Sequence, residues 1–444
     1  MMIQQHLKQV RELVRSNKLY SGIYIAGTAL SITMVMLVAI HFYLRTADLY
    51  PETGRRRMLY VQGAQVSPMD TTEQWTSSAF LSHRTMTECF YSLTKAKAVA
   101  GSMLIMGRGS NTISSADAPR DKKVYAKYVS SGFWQVYDLE FLSGKPFTQA
   151  DFDAARPVMV LNRSLADYLF PSREAVGQEV NFMGHRYSII GVVRDVPYHM
   201  GGSFAHLWIP YTCHEGYKDA FSRGGILGTI EAAILPRDGV SQSEVIAELE
   251  ANLKRLEEAT QMKINLMGQP DTSLRAMFRL GNLEIDLSKI IIGLVIIFAL
   301  FFLVPALNLT ALNSSVLEGR LAELGVRKAF GATNRSIIMQ VLVENFVLTL
   351  LGALLGLGLA YIILSSSVYD SFVSSMITYM AGGTTSIKQF APSISIGMLL
   401  RVEIFAFAFV SALLLNTFTS LIPAWRFTQR SIVDALSDNQ ASKK

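Results

Sequence analysis

Cysteine is nearly absent: of 444 residues only Cys89 and Cys213 carry a thiol, which excludes a disulfide-dense scaffold and leaves one bridge or two free thiols open. Charge is also scarce, at 17% against 50% apolar residues, so neither a disordered chain nor one ordinary soluble domain fits. A phosphate-binding loop is lacking. The single Gly-Lys pair, Gly144-Lys145, runs into Pro146 without the upstream glycine, so the chain is not expected to bind or hydrolyse ATP itself. His199, His206, Cys213 and His214 are the only cluster resembling metal ligands, and their spacings match no zinc pattern. No Ser-His-Asp or Cys-His set stands out, and Glu257-Glu258 read as a solvated helix face. The expectation is a protein without catalytic residues, metal or cofactor.

What is present is hydrophobicity concentrated in four runs. No formal charge occurs in Leu19 to Leu44, Ile290 to Leu317, Asn345 to Tyr369 or Ile404 to Trp425. At a rise of about 1.5 Å per residue, roughly 20 residues cross the hydrocarbon core of a bilayer, so each run is long enough. The first run exceeds a signal-peptide core of about 7 to 15 residues. Arg45-Thr46-Ala47-Asp48 is a poor processing site, so an uncleaved anchor is expected.

Basic residues set the orientation, because short cytoplasmic segments retain Lys and Arg. Lys8, Arg11, Arg15 and Lys18 face Glu12 in the leader. Arg320, Arg327, Lys328 and Arg335 outnumber Glu318 and Glu323 between the second and third runs, and Arg426, Arg430, Lys443 and Lys444 outnumber Asp434 and Asp438 in the tail. The loop after the third run holds only Asp370 and Lys388. Both termini are therefore expected in the cytoplasm. Residues 46–286 carry 25 basic and 27 acidic side chains, so the net charge of +6 comes from the membrane rims and is no nucleic-acid footprint.

The expected fold is a membrane protein with four transmembrane α-helices and a large α+β extracytoplasmic domain inserted between helices 1 and 2. Its parts are a cytoplasmic amphipathic helix (1–18, with Ile3, Leu7, Val10 and Val14 on one face), span one (19–45), the inserted domain (46–286) and span two (287–312). A cytoplasmic connector (313–336), span three (337–366), a short outer loop (367–400), span four (401–425) and a cytoplasmic tail (426–444) complete it. In the inserted domain, strands are expected at Met58 to Val66, Lys123 to Val129, Val158 to Leu161, Thr229 to Leu235 and Lys263 to Met267. A helix passes through Leu165 and Leu169, and a hairpin over Glu179 to Val193 turns at Met183-Gly184-His185. Ser241-Gln242-Ser243-Glu244 offers a capping box for a helix with Ile246, Leu249, Leu253 and Leu256 on one face. Met103 to Lys122 is expected as an exposed loop.

The connector carries the sharpest signal. Glu323-Leu324-Gly325-Val326-Arg327-Lys328-Ala329-Phe330-Gly331-Ala332 places apolar side chains among charges, as a short docking helix would. Gly352 and Gly356 have the small-xxx-small spacing that lets spans approach closely. Pro305 should kink span two by removing a backbone donor. Glu344, at the inner edge of span three, is expected beside Arg335 or a partner residue.

The connector, continued through Ile337, Gln340, Leu342, Glu344, Gly352 and Gly356, resembles the signature of the MacB/FtsX family of ABC-transporter permeases. Pro423-Ala424-Trp425-Arg426 with Ile432, Asp434, Ala435 and Leu436 is similar to its closing motif. Phe133, Gly144, Phe147, Asp151, Leu169-Phe170, Gly177 and Ile190-Gly191-Val192-Val193 resemble its periplasmic core. The resemblance implies a mechanotransmission-type permease subunit of the cytoplasmic (inner) membrane. ATP would be bound by a separate cytoplasmic ABC ATPase, and a second permease would complete a homo- or heterodimer. A periplasmic adaptor or outer-membrane channel and membrane lipids are further implied partners, with no role for nucleic acid. Glu323, Gly325, Arg327, Lys328, Gly331 and Ala332 would face the ATPase, with export or extraction in the periplasm as the output. The alternative is a regulatory or signalling membrane protein controlling a cell-wall hydrolase or sensor kinase.

Overall fold

A computed structural model describes residues 18–70, 72–103, 111–279, 281–300, 330–366 and 401–428, with Leu303, Val326, Tyr369, Ser371 and Phe390. The leader before Lys18, Pro305, Glu323, Gly325, Arg327, Lys328, most of the outer loop and the tail beyond Thr428 lie outside the described residues. Two compact units emerge: Phe42–Leu287 with Asp370–Ser395, and Met1–His41 with Ser288–Tyr369 and Ile396–Lys444.

The first unit is built on one mixed sheet. Its strands are β1 (Leu59–Val61), β2 (Gly63–Pro68), β3 (Ser77–Leu81), β4 (Ala96–Met103), β5 (Thr112–Ser114), β6 (Lys122–Lys123), β7 (Ala126–Val129) and β8 (Phe141–Gly144). They continue as β9 (Val158–Asn162), β10 (Glu179–Phe182), β11 (His185–Val193), β12 (Leu207–Pro210), β13 (Leu227–Gly228), β14 (Ile230–Pro236) and β15 (Met262–Asn265). The order is β15-β2-β3-β14-β4-β7-β12-β9-β11-β10-β5-β6, with β1 on β14, β13 on β3 and β8 on β11. Strands β9 and β12, buried at every position, occupy the interior, whereas β10 alternates exposed and buried as a half-covered strand does. Between β10 and β11, Met183 (φ 51°) and Gly184 (φ 85°) form a two-residue left-handed turn whose twist suits a hairpin.

The segment expected as a loop after Met103 instead contributes β5 and β6. Asn181 of β10 pairs with Ser114, and Thr112 pairs with Lys123, so a distant strand supplies the order that local composition lacks. The helices that matter to the two units are α1 (Lys18–Thr46), α2 (Phe133–Val136), α3 (Gln149–Asp153), α4 (Arg163–Leu169), α5 (Gln242–Thr260), α6 (Ser273–Phe278), α7 (Leu287–Leu300), α8 (Asn334–Leu364) and α9 (Val402–Thr428). Helix α5 starts at the Ser241/Glu244 capping box and buries Val245, Leu249, Leu253 and Leu256. It ends where Gln261 turns left-handed (φ 56°). Cys89 and Cys213 are both free thiols, pushed by burial up to about 12 and about 11.

In the second unit, α1 and α8 are 29 and 31 residues long with mean hydropathies of 2.2 and 2.4, enough by length and composition to cross a bilayer. The described part of α7 and the Val402–Phe418 stretch of α9 are shorter apolar segments.

Candidate functional site

Close helix packing starts from the two glycines of α8. A Cβ at Gly352 would fall 2.7 Å from Thr28 Cβ and 3.1 Å from the Ile25 carbonyl oxygen. One at Gly356 would fall 2.6 Å from the Ala29 carbonyl oxygen, so only hydrogen lets α8 approach α1 this closely. Thr33 Oγ1 donates to the Ala29 oxygen (2.8 Å) and the Gly356 oxygen (3.0 Å), satisfying its hydroxyl across the seam. One turn before Gly352, buried Thr349 ties three helices together: its Oγ1 accepts from Asn416 Nδ2 of α9 (2.9 Å) and shares a hydrogen bond with Tyr24 of α1 (3.3 Å). Glu344 is buried in the same helix and accepts from Gln340 Nε2 at 2.9 Å.

Ahead of α8, the Phe330 amide donates to the Val326 carbonyl (3.1 Å), and Gly331 follows with a φ of +91° that suits glycine. Thr333 then caps α8 through the Ser336 amide (3.3 Å). Val326 and Phe330 stand one turn apart and are 47% and 89% exposed. Beside them, Gly331 is exposed and Ala332 partly so.

Two buried ion pairs hold the leads into and out of the sheet-bearing unit. Where α1 ends, Arg55 Nε donates to Glu52 (2.8 Å) and its Nη1 to the Leu44 carbonyl (2.6 Å), capping the helix terminus with a cation. Glu52 also accepts from the amide and hydroxyl of Ser203 (3.0 and 2.9 Å). Before α7, Arg279 forks onto Asp271, with Nη2 2.9 Å from one carboxylate oxygen and Nε on the other. Its Nη1 reaches the Leu283 carbonyl (2.5 Å). Tyr60 and Asp271 exchange both backbone hydrogen bonds (2.9 and 2.8 Å), so the two leads meet.

Between them lies a cavity of 270 Å³ lined by Glu52, Arg55, Tyr60, Tyr137 and Glu231 among others. Burial pushes the Glu231 carboxyl up, opposed by Lys127, and burial pushes Lys127 down. The ammonium of Lys127 is held by the Gly201 carbonyl at 3.0 Å and by that of Gly202.

Known proteins resemble the chain along most of its length. Residues 21–252 match the model of a MacB-like periplasmic core domain, and residues 273–432 match that of an FtsX-like permease C-terminal. The chain belongs to the MacB/FtsX family of ABC-transporter permeases. Among curated relatives, the uncharacterized ABC transporter permease YknZ of Bacillus subtilis is 24% identical over 60% of this chain and 63% of its own length. The macrolide export ATP-binding/permease protein MacB of Salmonella paratyphi A is 24% identical over 69% of this chain and 41% of its own. The matched part thus spans less than two thirds of either relative's length. The periplasmic region of MacB from Actinobacillus actinomycetemcomitans aligns with a TM-score of 0.33 at 16% identity, over 50% of this chain and 94% of that one.

In this MacB/FtsX permease, the spacing of Gly352 and Gly356 is visible in the sequence, and the structure adds Thr28 and Ala29 as the surface they meet. Glu52, Arg55, Asp271 and Arg279 escape a sequence reading. Arg55 stands in the run Arg55-Arg56-Arg57, which looks like a solvated basic stretch, and only its Glu three residues earlier hints at a pair.

Proposed function

We propose that this permease is the non-catalytic, mechanotransmission-type subunit of an ABC complex in the cytoplasmic membrane. Its four spans leave both termini and the connector in the cytoplasm and the sheet-bearing domain in the periplasm. A separate ABC ATPase grips the connector through Glu323, Gly325, Arg327, Lys328, Gly331 and Ala332, and a second permease completes the dimer. Movement of the spans then drives export or extraction at the outer face, with an adaptor or outer-membrane channel as further partner.

The carrying observation is Phe330. An aromatic ring 89% exposed on a charged segment, one turn from half-exposed Val326, is the apolar knob that a protein pocket would bury. Support for a separate ATPase comes from YknZ, a relative named as a permease. Affinity purification of the full chain in mild detergent, with mass spectrometry and ATPase assays, tests the reading. An ABC ATPase should co-purify, and Arg327→Glu or Phe330→Ala should lower its recovery about tenfold, the scale of one interface hot spot. Unchanged recovery and unchanged ATPase activity in both variants would remove the assignment.

A further inference from the structure

Asp370–Ser395, which lies between α8 and α9 in the chain, belongs to the sheet-bearing unit, and within it Phe390 is only 5% exposed. Its seat is built where β9 ends and β12 begins. Asn162, fully buried, donates from Nδ2 to the Phe390 carbonyl (2.6 Å). The same side chain caps α4, its Oδ1 accepting from the Leu165 amide (3.2 Å), and the Asn162 amide donates to the His206 carbonyl (2.9 Å). The domain's own fold thus fixes Asn162, and Phe390 supplies the acceptor for Nδ2 among the described residues.

The ring of Phe390 is received as specifically as its carbonyl. Its centroid lies 5.4 Å from that of Tyr168 on α4 and 5.5 Å, edge-on, from that of His206, both inside the ~4.5–7 Å range of aromatic pairs. His206 is pinned in turn: Nδ1 accepts from the Tyr125 amide (2.9 Å), and the His206 amide donates to the Tyr125 carbonyl (2.8 Å). The Lys122 ammonium stands 5.3 Å over the Tyr168 ring. A buried donor and two positioned rings therefore hold one residue from a remote part of the same chain.

The place of this seat in the sheet gives it a mechanical meaning. The two leads cross at Tyr60 of β1 and Asp271, whereas Asn162 and His206 stand at β9 and β12. Strand β1 lies on β14, and β4, β7, β12 and β9 follow in that order, so crossing and seat are four to five strands apart. At ~4.8 Å per strand the separation is ~19–24 Å. A body held at one crossing turns about it, and a second attachment at such a distance removes that rotation.

We propose that Phe390 is a latch fastening the α8–α9 segment to the sheet-bearing domain, a second attachment that keeps the domain from turning about its two leads. The assignment stands whether or not an ATPase grips the connector. Two measurements on the full chain in lipid nanodiscs test it. In the first, p-azidophenylalanine at position 390 is photo-activated and the cross-linked tryptic peptides are identified by mass spectrometry. In the second, the electron-spin distance distribution is recorded between labels at Arg186→Cys and Ser365→Cys, both exposed positions, in a background with Cys89→Ala and Cys213→Ala and diluted with unlabelled chain.

The azide should join position 390, within one chain, to residues 164–173 or 195–218, the tryptic peptides that carry Tyr168 and His206. Phe390→Ala should widen the distance distribution. Asn162→Ser should widen it too, because serine keeps an N-capping oxygen for α4 but loses the donor that reaches the Phe390 carbonyl. Phe221→Ala, which removes a 58% exposed ring of the same unit, should leave the distribution as it is in the native chain. Cross-links that reach neither peptide, or form only between chains, would overturn the proposal. So would a distribution as narrow in Phe390→Ala as in the native chain, or one widened equally by Phe221→Ala.

Discussion

Replacing Arg55 by Met removes the cation from a buried pair while keeping most of its side-chain volume. Glu52 would keep its two hydrogen bonds from Ser203 but lose its ion-pair partner, and the Leu44 carbonyl at the end of α1 would lose its 2.6 Å donor. Stripping one partner from a buried pair costs about 3–5 kcal/mol. With a urea dependence of about 2–3 kcal/mol per molar, the unfolding midpoint should fall by roughly 1–2.5 M. Fully buried Trp208 donates to the Ser203 carbonyl (3.2 Å), so in a background with Trp75, Trp134 and Trp425 replaced by Phe its emission reports on this cluster during urea unfolding of the full chain in detergent. Arg163→Met is the control, because the Arg163–Asp167 pair is 57% exposed on both sides and its loss should cost under about 1 kcal/mol. Glu52→Gln combined with Arg55→Met should recover a substantial part of the loss. A single-variant effect no larger than that of Arg163→Met, or a double variant no more stable than Arg55→Met, would refute the reasoning.

Gly356→Leu should disrupt the α1–α8 seam, lowering the unfolding temperature in detergent through an overpacking cost of about 1–3 kcal/mol. Gly358→Ala, on the same helix with nothing within 4 Å of the place its new methyl would occupy, should leave that temperature unchanged. Glu231 has a folded pKa raised by burial above its ordinary value of 4.5, so the folded state holds the proton longer. Its contribution to stability is full below 4.5 and is lost as pH rises through the raised value. Glu231→Gln should therefore flatten the fall in domain stability as pH rises above 4.5, and urea midpoints measured upward from that pH check it. Lys127 is shifted down by burial, so its own contribution runs the other way and is gained as pH rises through its folded value.

Family membership was legible because the connector and tail motifs are local strings of residues. Helices α1 and α8 were legible because an uncharged run of sufficient length needs no tertiary context to declare itself. The start of α5 was legible for a similar reason: Ser241 and Glu244 satisfy each other's backbone within one turn. The sheet order was hidden, since β14 beside β4 and β7 beside β12 join segments far apart in the chain. Strands β5 and β6 were missed because polar, glycine-bearing residues form strands there only by pairing with β10. Hidden for another reason was the burial of Arg55 and Arg279, since nothing in composition distinguishes a desolvated guanidinium from its solvated neighbours Arg56 and Arg57.

The reciprocal backbone bonds of Tyr60 and Asp271 make the two leads a single strap rather than two strings. A one-residue slide of one lead along the other would break both hydrogen bonds, while the Arg279–Asp271 fork, lying wholly on the outgoing lead, would move with it. Within the sheet-bearing unit the incoming and outgoing segments are therefore locked to a single register.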